Sequence, residues 1–223
     1  MSLFKIPFLL SGAVGTWISL TQPTPPPARG EVQRKKGMEK IFGKFGVPIY
    51  ALMWKTTVIG SLLFDIASII SSPAPPTPLA ATLPPLYLLA CICTLASGVL
   101  RLQCYRALGP LFTFEITLRA DHKLVTRGPY AYVRHPSYAA ALFGIVGMLV
   151  LHFGPGSWFR AVGLLDTSVG WWYAALWTAM NTYVLASMLA RVPTEDAMLR
   201  DQFKEEWDAW AARVPYRVIP RIY

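Results

Sequence analysis

Apolar residues fall in five long blocks in this chain instead of alternating with polar ones, and that grouping limits the folds open to it. The blocks cover residues 3–20, 47–70, 86–100, 138–153 and 169–190. A helix needs about 20 mostly apolar residues to cross the hydrocarbon core of a bilayer. The third and fourth blocks reach that length only with their flanks. Composition agrees, with 54% hydrophobic and 15% charged residues and a mean hydropathy of +0.40. A soluble domain carries about a quarter charged residues. The expectation is an all-α, polytopic membrane protein of about five transmembrane helices, followed by a cytosolic amphipathic helix at the C-terminus.

The charges between the blocks suggest an orientation. Arg29, Arg34, Lys35, Lys36, Lys40 and Lys44 lie between the first two blocks, and Arg101, Arg106, Arg119, Lys123, Arg127 and Arg134 before the fourth. The connection from Ser71 to Pro85 is rich in proline and carries no charge. Basic connections favour the cytosolic face, so five spans put the N-terminus outside and the tail beyond Arg191 in the cytosol. Residues 1–20 read as a retained span, since no small-x-small cleavage site follows them. The net charge of +9 then reflects topology and attraction to anionic headgroups. Scattered between spans, it does not suggest a nucleic-acid partner.

Within this frame the segment from His122 to Tyr138 is the first candidate site. It brings two His, three Arg or Lys beside them, and three Tyr into a stretch between apolar runs. Gly128-Pro129 and His135-Pro136 interrupt helical backbone there. Irregular backbone at a membrane belongs beside the bilayer or in a protein-lined cavity. Other features read as packing. Cys91, Cys93 and Cys104 lack the His or acidic partners of a zinc site, so no metal is expected. Lys55 and Asp65 sit near the ends of the second span, where snorkelling accounts for them. Ala139, Ala140, Ala141, Gly144 and Gly147 allow close helix approach. No phosphate-binding loop, dinucleotide fingerprint, metalloprotease or nucleophile-elbow pattern is present.

A second polar group, Arg191-Val-Pro-Thr-Glu-Asp196, ends the fifth block. Leu199, Phe203, Trp207 and Trp210 then recur at helical spacing. Thr194 is placed to cap this helix, with Glu195 and Asp196 suited to its first turn. Pro193 should kink or interrupt the chain. On the residues alone, Glu195 reads as a helix-start charge and Arg191 as an interfacial anchor.

The two groups in tandem, His122-x-Leu-Val-Thr-x-Gly-Pro-Tyr-x-x-x-Arg-His-Pro-Ser-Tyr138 and Arg191-x-x-x-Glu195-Asp196-x-x-Leu199-x-x-x-Phe203-x-x-x-Trp207, resemble the isoprenylcysteine carboxyl methyltransferase family. The resemblance covers roughly residues 110–223, and divides the chain into N-terminal transmembrane helices with a basic loop (1–109) and a methyltransferase region (110–223). It implies a multi-pass enzyme of the endoplasmic reticulum membrane with its active site facing the cytosol. It further implies S-adenosyl-L-methionine as cofactor and, as substrate, the C-terminal carboxylate of a prenylated protein or peptide drawn from the lipid. Carried over by position, it puts His122, Lys123, Leu124, Val125, Tyr130, His135, Pro136, Ser137, Tyr138 and Glu195 at the cofactor, and Arg191 at the substrate. Glu115 falls where the family often has a cofactor-contacting glutamine, and Asp196 where it usually has a second glutamate.

Elementary chemistry is consistent with these roles. Methyl transfer to oxygen needs an electron pair in line with the methyl carbon at about 3 Å. A terminal carboxylate, with a pKa of about 3.5, is ionised at neutral pH and needs no base. It needs orientation, for which an arginine fork is well shaped, while the cationic cofactor needs an acid. Arg191 and Glu195 meet those two needs as the catalytic pair. Two other functions fit the same segments: N-methylation of a phospholipid amine such as phosphatidylethanolamine, with His135 or His122 as base, and a small scaffold whose loops bind headgroups.

Overall fold

The computed structural model describes residues 3–25, 46–71, 84–114 and 122–223. The basic connection around residues 29–44, most of the proline-rich connection, Arg119 and Glu115 lie outside the described residues. Helices and turns make up the rest: α1 (Ile6–Ser19), α2 (Gly46–Trp54), α3 (Gly60–Ser71), α4 (Pro85–Leu108), α5 (Pro136–Phe153), α6 (Trp158–Ala161), α7 (Ser168–Phe203) and α8 (Glu205–Arg213). A π-helical turn over Lys55–Ile59 joins α2 to α3. No strand occurs among the described residues.

Among the described residues, three stretches are long and apolar enough to cross a membrane: Pro48–Ser71, Pro85–Leu111 and Pro136–Ala161. The first block forms the shorter apolar helix Ile6–Ser19. The fifth is the opening part of the 36-residue α7. Large apolar side chains such as Leu52, Ile92, Trp172 and Leu176 point outward, as they do when lipid rather than water surrounds a helix. This is a helical membrane protein.

Helices α1, α4 and α5 form the centre, and small residues set their spacing. A Cβ on Gly15 would stand 2.3 Å from the Thr94 carbonyl oxygen, and one on Gly98 would stand 2.8 Å from Gly15 Cα. Gly144 and Gly147 are equally crowded against Ser97 and Thr94. The small residues of the fourth block therefore serve helix contact, as their pattern suggests. Leu9, Trp54, Val58, Leu62, Tyr87, Leu151 and Trp177 fill the surrounding core. Asn181 of α7 is buried there and accepts hydrogen bonds from Tyr50 Oη at 2.7 Å and Trp54 Nε1 at 3.0 Å, which fixes α2 to α7.

Two charges, Asp65 and Arg101, lie elsewhere than their sequence positions suggest, and a third, Lys55, gains a ring partner. Asp65 does not snorkel: it is buried, and Lys5 of the N-terminal turn donates to it and, at 2.9 Å, to the Gly156 carbonyl. Lys55 lies over the Trp17 ring, 4.5 Å from its centroid. Arg101 is not a loop charge but a buried residue of α4, since that helix runs on well past Leu100.

Candidate active site

Pro136 opens α5, where a missing N–H costs nothing and the fixed φ suits a helix start. His135, at φ −126° and ψ 61°, precedes it as the N-cap residue, and Tyr138 stands in the first turn. Both face α7. The Tyr138 hydroxyl donates to Glu195 Oε1. His135 Nδ1 lies 3.3 Å from Glu195 Oε2, and its Nε2 lies 2.9 Å from Asp196 Oδ1. The His135 and Tyr138 rings stack at 5.6 Å. With a carboxylate at each nitrogen, the ring is held as a double donor.

The expected break at Pro193 does not occur. Helix α7 runs unbroken through it, capped far upstream by Thr167, whose Oγ1 accepts from Gly170 N at 3.1 Å. Thr194 is thus an interior helical residue and caps nothing. Continuity has a consequence for the site: Arg191 and Glu195 share one face, with Arg191 Nη2 3.4 Å from Glu195 Oε1. Arg191 Nη1 also donates to the Phe114 carbonyl at 3.2 Å. Both side chains are mostly buried, at 17% and 19% exposure, so they are partly desolvated yet open to a ligand.

Arg191, Glu195, Leu199 and Phe203 follow one another at four-residue steps along α7, each step advancing about 6 Å. The row leads from His135 and Tyr138 to a second cluster. There Leu199, Phe203, Leu124 and Val125 pack on buried Tyr130, Trp207 and Trp210. His122 stands 6.0 Å from the Phe203 ring, Trp210 Nε1 donates to the Tyr130 carbonyl at 3.1 Å, and Lys123 is exposed. The helix of the second sequence group is divided at Lys204, whose backbone at φ 47°, ψ −117° turns the chain into α8. That turn brings Trp207 and Trp210 back onto the 122–130 segment.

Electrostatics fix which groups are charged. Burial alone would lower the pKa of His135, but hydrogen bonds to Asp196 and Glu195 outweigh it, so the value is raised. Burial alone would raise that of Glu195; His135, Arg191 and Tyr138 together outweigh it, and the value is lowered. Glu195 is therefore an anion able to face a cationic ligand. Asp196 is ringed by Arg134 Nη2 at 3.2 Å and Arg217 Nε at 3.3 Å besides His135. The C-terminal tail closes this side, accepting Arg134 N at the Tyr216 carbonyl (3.0 Å) and His135 N at the Arg217 carbonyl (2.7 Å).

Of the residues singled out from sequence, then, His135, Tyr138, Arg191 and Glu195 meet directly. His122, Leu124, Val125 and Tyr130 gather further along the same helix row. Pro136 shapes the helix start, and Ser137 turns toward Arg101 of α4. Arg134, Arg217 and the Phe114 carbonyl were not singled out. Arg134 sits inside the motif beside His135 and was legible there; the tail arginine gave no signal beyond its charge.

The family model of the isoprenylcysteine carboxyl methyltransferase (ICMT) family matches residues 88–201, just over half of the chain. The chain is also similar to protein-S-isoprenylcysteine O-methyltransferase B of Arabidopsis thaliana, at 31% identity over 119 residues, covering 52% of this chain and 51% of that protein. It thus matches about half the length of this curated relative. No solved structure matches it. The chain belongs to the isoprenylcysteine carboxyl methyltransferase family, and the matched segment contains His122, Tyr138, Arg191 and Glu195.

Proposed function

We propose that this member of the isoprenylcysteine carboxyl methyltransferase family methylates the C-terminal carboxylate of prenylated cysteine, using S-adenosyl-L-methionine. The observation that carries the reading is the meeting of Arg191 and Glu195 with His135 and Tyr138 at the junction of α5 and α7. S-adenosylmethionine would supply an electrophilic methyl group. Glu195, an anion beside an aromatic ring, is suited to its cationic end, and the cluster of Leu124, Val125, Tyr130 and Phe203 to its apolar surfaces. Glu115 would add a contact from outside the described residues.

Arg191 holds the acceptor. Its guanidinium already leans on Glu195 and the Phe114 carbonyl, so its orientation is set before substrate arrives. A carboxylate docked on it keeps its electron pair for the methyl carbon, and no proton has to move. The His135 geometry favours this acceptor over a phospholipid amine. Both its nitrogens face carboxylates, which leaves it unsuited to take a proton from an ammonium.

In the membrane, we place five spans, with residues 3–20 and 169–190 completing the three longer ones, and both polar segments at the cytosolic face of the endoplasmic reticulum. A farnesyl chain gains about 0.8 kcal/mol per CH₂ buried, so it reaches the site from lipid while the cofactor comes from water. The test is incubation of the detergent-purified protein with methyl-labelled S-adenosylmethionine and, in separate samples, a farnesylcysteine analogue and phosphatidylethanolamine. A base-labile methyl ester on the farnesylcysteine analogue is the expected product, lost at least a hundredfold in Arg191→Ala. Label in the phospholipid, or none with either acceptor, would overturn the reading.

A further inference from the structure

Arg101 is a cation buried in α4 that the proposed reaction has not used. It lies about two turns before the end of α4, inside a stretch apolar enough to cross a membrane, and is only 7% exposed. Its Nε donates to the Ser19 carbonyl at 3.3 Å, and its Nη1 donates to the Ser137 carbonyl at 2.9 Å and to Ser137 Oγ. The guanidinium also lies 5.0 Å from the Phe114 ring centroid and 5.7 Å from that of Phe112. Every one of these partners is neutral. No carboxylate among the described residues pairs with it, whereas the buried Lys5 has Asp65 and the cations nearest α7 have Glu195 or Asp196.

Intramembrane charges are costly and as a rule pair with an opposite charge or with backbone carbonyls; of these two, Arg101 has the carbonyls alone among the described residues. Among the described residues, dipoles and ring faces orient this guanidinium and no anion cancels its charge. Its location says what could cancel it. Ser137 and Tyr138 are consecutive: the first touches buried Arg101, the second touches Glu195. Phe114 likewise offers its ring to Arg101 and its carbonyl to Arg191. A cation and an anion thus flank one turn of α5. That is a complement for an amino-acid zwitterion, whose ammonium prefers the carboxylate and whose carboxylate prefers the guanidinium.

We propose that Arg101 receives the α-carboxylate of the cofactor's amino-acid end and forms the buried cationic wall of the pocket. This rests on the methyl-transfer reading above. The other carboxylate at the site, that of the acceptor, is left to Arg191.

The experiment measures equilibrium binding to the full-length protein in detergent, for wild type, Arg101→Gln and Arg101→Lys. One arm compares S-adenosylmethionine with decarboxylated S-adenosylmethionine; the other compares N-acetyl-farnesylcysteine with its amide. Wild type should favour the carboxylate-bearing cofactor at least tenfold. Arg101→Gln should bind both cofactor forms alike, Arg101→Lys should retain part of the preference, and acceptor discrimination should be unchanged. Unaltered cofactor discrimination in Arg101→Gln would overturn the proposal, as would a loss confined to the acceptor arm. If that variant does not fold, equal affinity of wild type for the two cofactor forms overturns it just as well. Failure of wild type to bind S-adenosylmethionine at all would instead strike the methyl-transfer reading itself.

Discussion

His135 shows how single side chains set the state of this site. It is enclosed by Glu195 and Asp196 on one side, with Arg134, Arg191 and Arg217 bonded to those same acids. Its pKa is raised above 6.5, so its contribution to stability is complete below pH 6.5 and is lost as pH rises through the folded value. Glu195 is depressed below 4.5; its contribution is present above that and lost as pH falls through its own folded value. Both act together between pH 4.5 and 6.5. The thermal midpoint in detergent should therefore be highest in that window and decline on the alkaline side, and His135→Gln should flatten the alkaline decline. An unchanged alkaline limb in the variant would count against the paired imidazolium. At this scale the sequence was most readable where a residue type has few uses at a membrane. His135 stood out within a polar, turn-rich segment; Arg191 and Glu195, which on their own read as an anchor and a helix-start charge, gained a site role only through the family resemblance, while Arg217 and Arg101 were hidden in a general excess of basic residues.

At the scale of elements, periodicity located the helices well and placed their ends poorly. Leu199, Phe203, Trp207 and Trp210 do converge, yet they belong to two helices and not one. Helical spacing continues across a break when both pieces pack on the same cluster, so the pattern cannot reveal Lys204. Pro193 misleads in the opposite sense. It removes one backbone donor, but a helix anchored on either side by Asn181, Val192 and Asp196 carries on through it. The break at Lys204 supports a simple test. A side chain at φ 47° is strained, and glycine is free of that strain. Lys204→Gly should raise stability by about 1 kcal/mol, read as a higher thermal midpoint. The lost Lys204–Asp201 pair is exposed and offsets little. A lowered midpoint would contradict this account of the turn.

For the whole molecule, apolar blocks established the class of fold, and the charges between them gave a proposed orientation. What the blocks could not convey is the packing inside. Lys5 and Asp65, sixty residues apart, form a buried pair beneath the Gly156 turn that ties the N-terminal turn to α3. Breaking one side of such a pair leaves a bare charge, at a cost of about 3–5 kcal/mol. Asp65→Asn should lower detergent stability by about that much, and Lys5→Met with Asp65→Leu should recover most of it. A double variant no better than the single would show that the pair is not the latch described. The same centre, with Gly15 against Gly98 and Gly144 against Ser97, sets α5 where its first turn meets α7.

That meeting is the claim on which the function depends: residues of the 122–138 segment and of the 191–196 segment form one binding site. A double-mutant cycle on S-adenosylmethionine affinity, with Tyr138→Phe, Glu195→Gln and the pair together, tests it directly. The two single losses should not add: the double variant should bind at least fivefold more tightly than the product of the single losses implies, a coupling of about 1 kcal/mol. Losses that simply multiply would mean that the two residues act apart, and the site described here would not exist as one.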